Sequence, residues 1–305
     1  MKKKIVVLLF LLLLFLISIY YTYEKLPNDI YYEFNKSMKD CMKNGVIIDP
    51  LADPLIESQS FKQMLYKLYK PCKALKIAIV SMFITDKTVP YYAQKTKEIL
   101  QNYCNIWGYE LYYFNEIIDN NYTIMWQKQN AVKKVMDLNK HDYIVWIDAD
   151  IIILNTSIPI ENFIDIENKD IYLSKDIRTQ GFWSFRKNVH HYINAGLFII
   201  KNSFIGKKYI DEILEYYDAF NGYFKNNHFH EQSIMQYLYF NKYYPYTLIF
   251  PHTVLQTIYS QNIHNSTDFS LHMAGDSESI RNNIVNIYLS NGFYAIPKHK
   301  YGFWK

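Results

Sequence analysis

The chain is poor in the residues that staple or punctuate unusual folds: among 305 residues there are 3 Cys, 9 Gly and 9 Pro. So few cysteines exclude a disulfide scaffold, and the spacing of Cys41, Cys72 and Cys104 fits no zinc pattern. A Cys41–Cys72 bridge would suit an oxidising lumen, with Cys104 left over. Low glycine and proline exclude a collagen-like or linker-dominated chain, and a hydrophobic share of 50% excludes disorder. Charge of one sign is scarce too. The 33 basic residues face 29 acidic ones, with no strong basic block beyond the first few positions, so no nucleic-acid partner is indicated. His-Glu-x-x-His is missing: His228 and His230 precede Glu231, but Ile234 takes the fifth position, which excludes that metalloprotease pattern.

What is present begins at the N-terminus. Lys2, Lys3 and Lys4 precede an apolar run from Ile5 to Tyr20, extended by Tyr21, Thr22 and Tyr23. This is near bilayer-spanning length, and the leading cations favour a cytoplasmic N-terminus. Bulky residues follow where a cleavage site would need small ones, so residues 1–23 read as a cytoplasmic tip and transmembrane signal-anchor. Residues 24–74 read as a short helical stem, with a turn-rich Asp49–Pro54 stretch and Phe61, Leu65 and Leu68 on one helical face. Sequons at Asn35, Asn121, Asn155 and Asn265 would suit a translocated domain.

Residues 75–305 read as one main domain. Ile77 to Val80 with Met82 form a short apolar run typical of a strand buried on both faces. Thr96, Ile99, Leu100 and Tyr103 recur at helical spacing, and a strand-like Tyr109–Phe114 follows. A second helix is expected from about Met125 to Leu138, leading to a strand over Tyr143–Ile147, and two more helices around Ile210–Tyr217 and Ile234–Leu238. The alternation predicts an α/β fold with a doubly wound, mostly parallel sheet flanked by helices, in which ligands bind beyond the carboxyl ends of strands.

At one such strand end stand Asp148, Ala149 and Asp150. Two residues apart, the carboxylates would share a side in extended geometry. Like charges at the edge of a core repel unless a cation or donors offset them, and carboxylate oxygens suit hard Mg²⁺ or Mn²⁺. Such an ion can hold phosphate oxygens in its remaining positions. An Asp-x-Asp alone is weak, since aspartates at strand ends are common turn formers.

The run from Trp126 to Lys128, then Trp146 to Ile151, Ile160, Asn194 to Asn202, Glu231-Gln232-Ser233 and Leu271 to Gly275 resembles the galactosyl transferase GMA12/MNN10 family (glycosyltransferase family 34) over roughly residues 75 to 276. The resemblance implies a GT-A fold, a type II anchor with a luminal catalytic domain in the Golgi or endoplasmic reticulum, Mn²⁺ with Mg²⁺ as substitute, and hexose transfer with retention of configuration. The donor would be a nucleotide sugar, UDP-hexose or GDP-mannose, and the acceptor an oligosaccharide or glycoprotein; a transferase complex would be a further partner. It implies that Asp148, Asp150 and His272 hold the metal. Ala149, Asn194, Ala195, Gly196, Lys128 and Gly275 would contact donor or acceptor, with Gln232 at the β face of the donor sugar and Glu231 on substrate.

Each role has a plainer competitor. Asn194-Ala195-Gly196 also reads as a loop-to-strand turn, Glu231 as a helix cap, Lys128 as a solvated helix lysine, and His272 as a satisfied polar group. Two departures stand out, Asp276 where the family commonly has Cys and Glu231 where it usually has Asp. Two other functions remain open: a glycogenin-like transferase of another GT-A family, and a non-catalytic membrane-tethered partner of a transferase complex.

Overall fold

A computed structural model describes residues 75–164, 167–176, 193–226, 230–261, 264, 268–292 and 296. The expected anchor and stem lie outside these residues, as do Cys41, Cys72, His228 and the sequons at Asn35 and Asn265. Among the described residues no helix is long and apolar enough to cross a membrane.

In chain order the elements are β1 (Ile77–Met82), α1 (Tyr91–Trp107), β2 (Glu110–Phe114), α2 (Gln127–Met136), β3 (Tyr143–Ile147), β4 (Ile151–Ile153), α3 (Glu161–Ile164), β5 (Ile171–Lys175), β6 (Ile193–Lys201), α4 (Phe204–Glu215), α5 (Ala219–Asn226), α6 (His230–Leu238), β7 (Thr247–Phe250), β8 (Thr257–Ile258), β9 (Ser270–His272) and α7 (Glu278–Asn291). The main sheet runs β2-β1-β3-β6-β5-β7. β1 pairs parallel with β2 and β3, and β5 pairs parallel with β7. β6 runs antiparallel to both β3 and β5. The fold is therefore mixed α/β with a parallel-rich sheet flanked by helices, as expected, with β6 as one antiparallel strand at its centre that the strand–helix alternation did not reveal. An alternating strand–helix pattern shows that elements alternate but does not encode the direction of each.

The central strands β1, β3 and β6 are largely apolar because both of their faces are covered. Ala78, Val80, Ile144, Trp146, Phe198 and Ile200 meet α2, α4 and α6 on one face. Ile77, Ile79, Tyr143, Val145, Leu197 and Ile199 meet Leu100, Tyr103 and Cys104 of α1 and Phe163 of α3 on the other. Cys104 is free, and burial pushes its thiol up to about 12, so it behaves as a core hydrophobe.

A small second sheet, β4-β9-β8, closes the carboxyl end of β3. Beside it α7, capped by the Ser277 hydroxyl accepting from Ile280 N–H, lies across the start of α1. There Asn282 Oδ1 accepts from Tyr92 N–H at 2.8 Å, and Asn286 Oδ1 from Tyr91 O–H at 2.8 Å. Pro90 gives α1 no side-chain cap, so Asn282 serves an N–H that the helix itself cannot satisfy.

Candidate active site

The carboxylate pair lies in a turn, which replaces the extended geometry expected from sequence. β3 ends at Ile147, and Ile151 N–H donates to Asp148 O at 3.0 Å, folding Asp148-Ala149-Asp150 back before β4 begins. Thr96 Oγ1 of α1 donates to Ala149 O at 2.6 Å, and Asp148 N–H donates to Gly196 O at 2.8 Å. The turn is fixed from both layers.

His272 reaches it through the second sheet. β9 runs antiparallel to β4 with His272 opposite Ile151, and Met273 N–H donates to Asp150 O at 3.0 Å. Strand pairing thus sets a histidine distant in sequence one residue from Asp150. His272 Nε2 lies 3.2 Å from Asp150 Oδ1 and 3.8 Å from Asp148 Oδ2, and one ligand atom from each of the three residues falls within 4.8 Å of the others.

The remaining oxygen of each carboxylate is already engaged. Asp148 Oδ1 accepts from Trp146 Nε1 at 2.6 Å and lies 3.1 Å from Lys128 Nζ. Asp150 Oδ2 lies 2.9 Å from Arg281 Nη2. Asp148 Oδ2, Asp150 Oδ1 and His272 Nε2 are left facing one another, and two carboxylate oxygens with an imidazole nitrogen are a donor set that fits a divalent ion such as Mn²⁺. Burial tends to raise the Asp150 pKa, but the His272 ring and the Arg281 guanidinium outweigh it and hold it at about 2.

Lys128 is neither solvated nor free. Its side chain is 11% exposed, with Nζ 3.1 Å from Asp148, 3.0 Å from Glu231 Oε1 and 3.0 Å from Ala195 O, over the Trp146 ring. Burial alone would depress its pKa, yet Asp148 and Glu231 hold it above the ordinary lysine value. Lys128 and Arg281 face Asp148, Asp150 and Glu231. With His272 neutral, the cluster carries one excess negative charge, which a dication would convert to one excess positive charge.

Asn194, Ala195 and Gly196 belong to β6 rather than to the turn considered from sequence. The segment can be strand because its polar groups are satisfied inside: Asn194 Oδ1 accepts from Gly196 N–H at 2.9 Å, and Gln232 Oε1 accepts from Ala195 N–H at 3.1 Å. Gly196 does permit a close approach, by the His272 ring. A Cβ there would stand 2.3 Å from His272 Cε1 and 2.5 Å from Nδ1. Glu231 and Gln232 open α6, both buried, with Glu231 turned to Lys128. Gly275 has φ 75° in the turn between β9 and α7, where an added Cβ meets nothing, so its backbone conformation is what favours glycine.

Two neighbours of the site were not anticipated from sequence. Arg281 engages Asp150, Met273 O at 3.1 Å and Tyr92 O–H at 3.1 Å, and packs on the Tyr92 ring. Gln256 is fully buried, with Oε1 3.1 Å from His272 Nδ1. The placement of Arg281 on the first turn after Ser277 is a faint helical cue; nothing in Pro251–Gln256 marks Gln256.

The fold is that of a glycosyltransferase. It is similar to the crystal structure of a glycosyltransferase involved in the glycosylation of the major capsid of PBCV-1, at 18% identity and a TM-score of 0.55 over 69% of this chain and 98% of that one. Looser matches are GlyE of Streptococcus pneumoniae TIGR4 (13% identity, TM-score 0.40, 74% of this chain and 66% of that one) and mouse xyloside xylosyltransferase 1 in its apo form (9%, 0.41, 66% and 99%). No curated protein matches the sequence. The chain belongs to the galactosyl transferase GMA12/MNN10 family, whose model matches residues 76–278.

Proposed function

We propose that the chain is a metal-dependent GT-A glycosyltransferase that moves a hexose, galactose or mannose, from UDP-hexose or GDP-mannose to an oligosaccharide or glycoprotein acceptor with retention of configuration. The observation that carries the reading is the convergence of Asp148 Oδ2, Asp150 Oδ1 and His272 Nε2 while the other carboxylate oxygens are held by Trp146, Lys128 and Arg281. Bound there, Mn²⁺ or Mg²⁺ would supply Lewis acidity toward the donor diphosphate.

The chain's own residues do the rest. Lys128 bridges the Asp148 and Glu231 carboxylates and so fixes Glu231 beside the proposed metal-binding cluster. Glu231 and Gln232 form the wall that faces the donor sugar, where an acidic or amide group stabilises positive charge developing at the anomeric carbon. Gln232 also accepts from Ala195 N–H, which links the start of α6 to β6. Retention follows if the acceptor hydroxyl attacks from the face that the diphosphate leaves and passes its proton to the departing phosphate oxygen.

We extend the reading to location. Lys2 to Lys4 and the apolar run after them suit a single-pass type II anchor, with the catalytic domain in the lumen of the Golgi or endoplasmic reticulum. The test is a screen of nucleotide sugars against the full-length chain with Mn²⁺, read by thermal shift and then by donor hydrolysis. One UDP-hexose or GDP-mannose should raise the melting temperature and be cleaved, with the glycosyl product keeping the donor's anomeric configuration. A folded chain that neither binds nor cleaves any nucleotide sugar would overturn the proposal.

A further inference from the structure

We propose that Gln256 is a positioning residue that keeps a proton on Nδ1 of His272 and so offers Nε2 to the cation. The inference rests on the metal-binding reading above, and the geometry of a closed amide relay carries it.

Gln256 is 1% exposed. Its Nε2 lies 3.2 Å from Asn194 O and 3.0 Å from Asn194 Oδ1. A main-chain carbonyl can only accept, so the NH₂ end of Gln256 must face Asn194 and its carbonyl must face His272 Nδ1, at 3.1 Å. The same logic fixes Asn194, whose Oδ1 accepts from Gly196 N–H and whose Nδ2 points to Asp176 Oδ2 at 3.4 Å. Gln256 Oε1 therefore accepts the Nδ1 proton. Without that acceptor, the nearest partner for a neutral ring's single proton is Asp150 Oδ1, 3.2 Å from Nε2. The proton would then sit on the nitrogen that must bind metal. Gln256 opposes that tautomer.

The turn that presents Gln256 is built under strain. Thr253 has φ 68°, a left-handed conformation that a β-branched residue rarely adopts, and its N–H donates to Gln256 O at 3.2 Å. The absence of a side chain on Gly196 makes room for the ring, since a Cβ there would overlap Nδ1. Ring position and ring tautomer are thus set by different residues.

The experiment uses the full chain with ¹⁵N-labelled histidine, free of metal, at a pH where the His272 ring carries one proton. Long-range ¹H–¹⁵N spectra are assigned by comparison with His272→Gln, and Mn²⁺ affinity is read by electron paramagnetic resonance. Wild type should show the Nδ1–H tautomer. Gln256→Met should shift His272 to Nε2–H and weaken Mn²⁺ binding about 10- to 100-fold, the usual effect of losing an outer partner of a ligating histidine. Gln256→Glu, which keeps an acceptor toward Nδ1, should restore the tautomer and most of the affinity. An Nε2–H tautomer in wild type overturns the proposal without any variant needing to fold. So does a folded Gln256→Met protein with unchanged tautomer and affinity. If wild type shows the Nδ1–H tautomer and Gln256→Met flips it, yet no Mn²⁺ binds to wild type, the relay stands and the metal-dependent reading falls.

Discussion

Gly196 and His272 are in contact so close that the space for a Cβ on Gly196 is already filled by the imidazole, 2.3 Å away at Cε1. β6 is held at this point by its pairing with β3 and by Asp148 N–H, so the ring is the part that would yield. Gly196→Ala should cost about 1–3 kcal/mol of stability through overpacking. It should also lower Mn²⁺ affinity by about 10-fold or more as Nε2 leaves Asp148 and Asp150. A thermal melt and a metal titration on one preparation check both.

Lys128 is the buried cation between two carboxylates, 11% exposed. Lys128→Met would leave Asp148 and Glu231 without their shared partner, a change expected to destabilise by about 3–5 kcal/mol. Removing the second charge as well, in Lys128→Met/Glu231→Leu, should recover part of that loss. Denaturant unfolding of both variants is the measurement, and equal destabilisation of the two would contradict the assigned pairing.

Asp150 sets an acid limit. Its pKa is held at about 2, below the ordinary 3.8, because His272 and Arg281 outweigh the effect of burial. A depressed carboxylate pKa stabilises the fold above the unfolded value, and that contribution is lost as pH falls through the folded value. Stability should therefore decline between about pH 4 and about pH 2, with Asp150 supplying on the order of 2 kcal/mol of the loss. Asp150→Asn should flatten that part of the profile in a pH series of melts.

Arg281 fixes Asp150 Oδ2 and, through Tyr92, ties Asp150 to α1. Arg281→Ala frees that oxygen to turn, and turnover with saturating Mn²⁺ should fall by about 10-fold, the scale of a lost outer-shell contact. Arg281→Lys restores the charge but not the three-way geometry, so it should recover only part of the activity.

The framework of this fold was legible where burial dictates sequence. Ile77–Met82 and Tyr143–Ile147 read as strands because they are covered on both faces, and Val132, Val135 and Met136 read as a helical stripe because they face one core. Asp148, Asp150 and His272 were named from motif order, and strand pairing between β4 and β9 brings them together. The status of Asn194–Gly196 was not legible, since Asn favours turns until a buried partner satisfies it, and that partner, Gln256, lies on a distant segment. Arg281 and Gln256 escaped for the same reason. Their roles arise only where α7 folds back onto the turn after β3 and the turn before β8 onto β6 and β9, and no local period or spacing records such a return.

The central claim is that Asp148, Asp150 and His272 together hold one divalent ion. Anomalous diffraction from crystals grown with Mn²⁺ and UDP or GDP tests it most directly. The expected result is a single strong peak within bonding distance of Asp148 Oδ2, Asp150 Oδ1 and His272 Nε2, with diphosphate oxygens on its open side. Ordered nucleotide in the cleft with no Mn²⁺ peak among those three atoms would contradict the account.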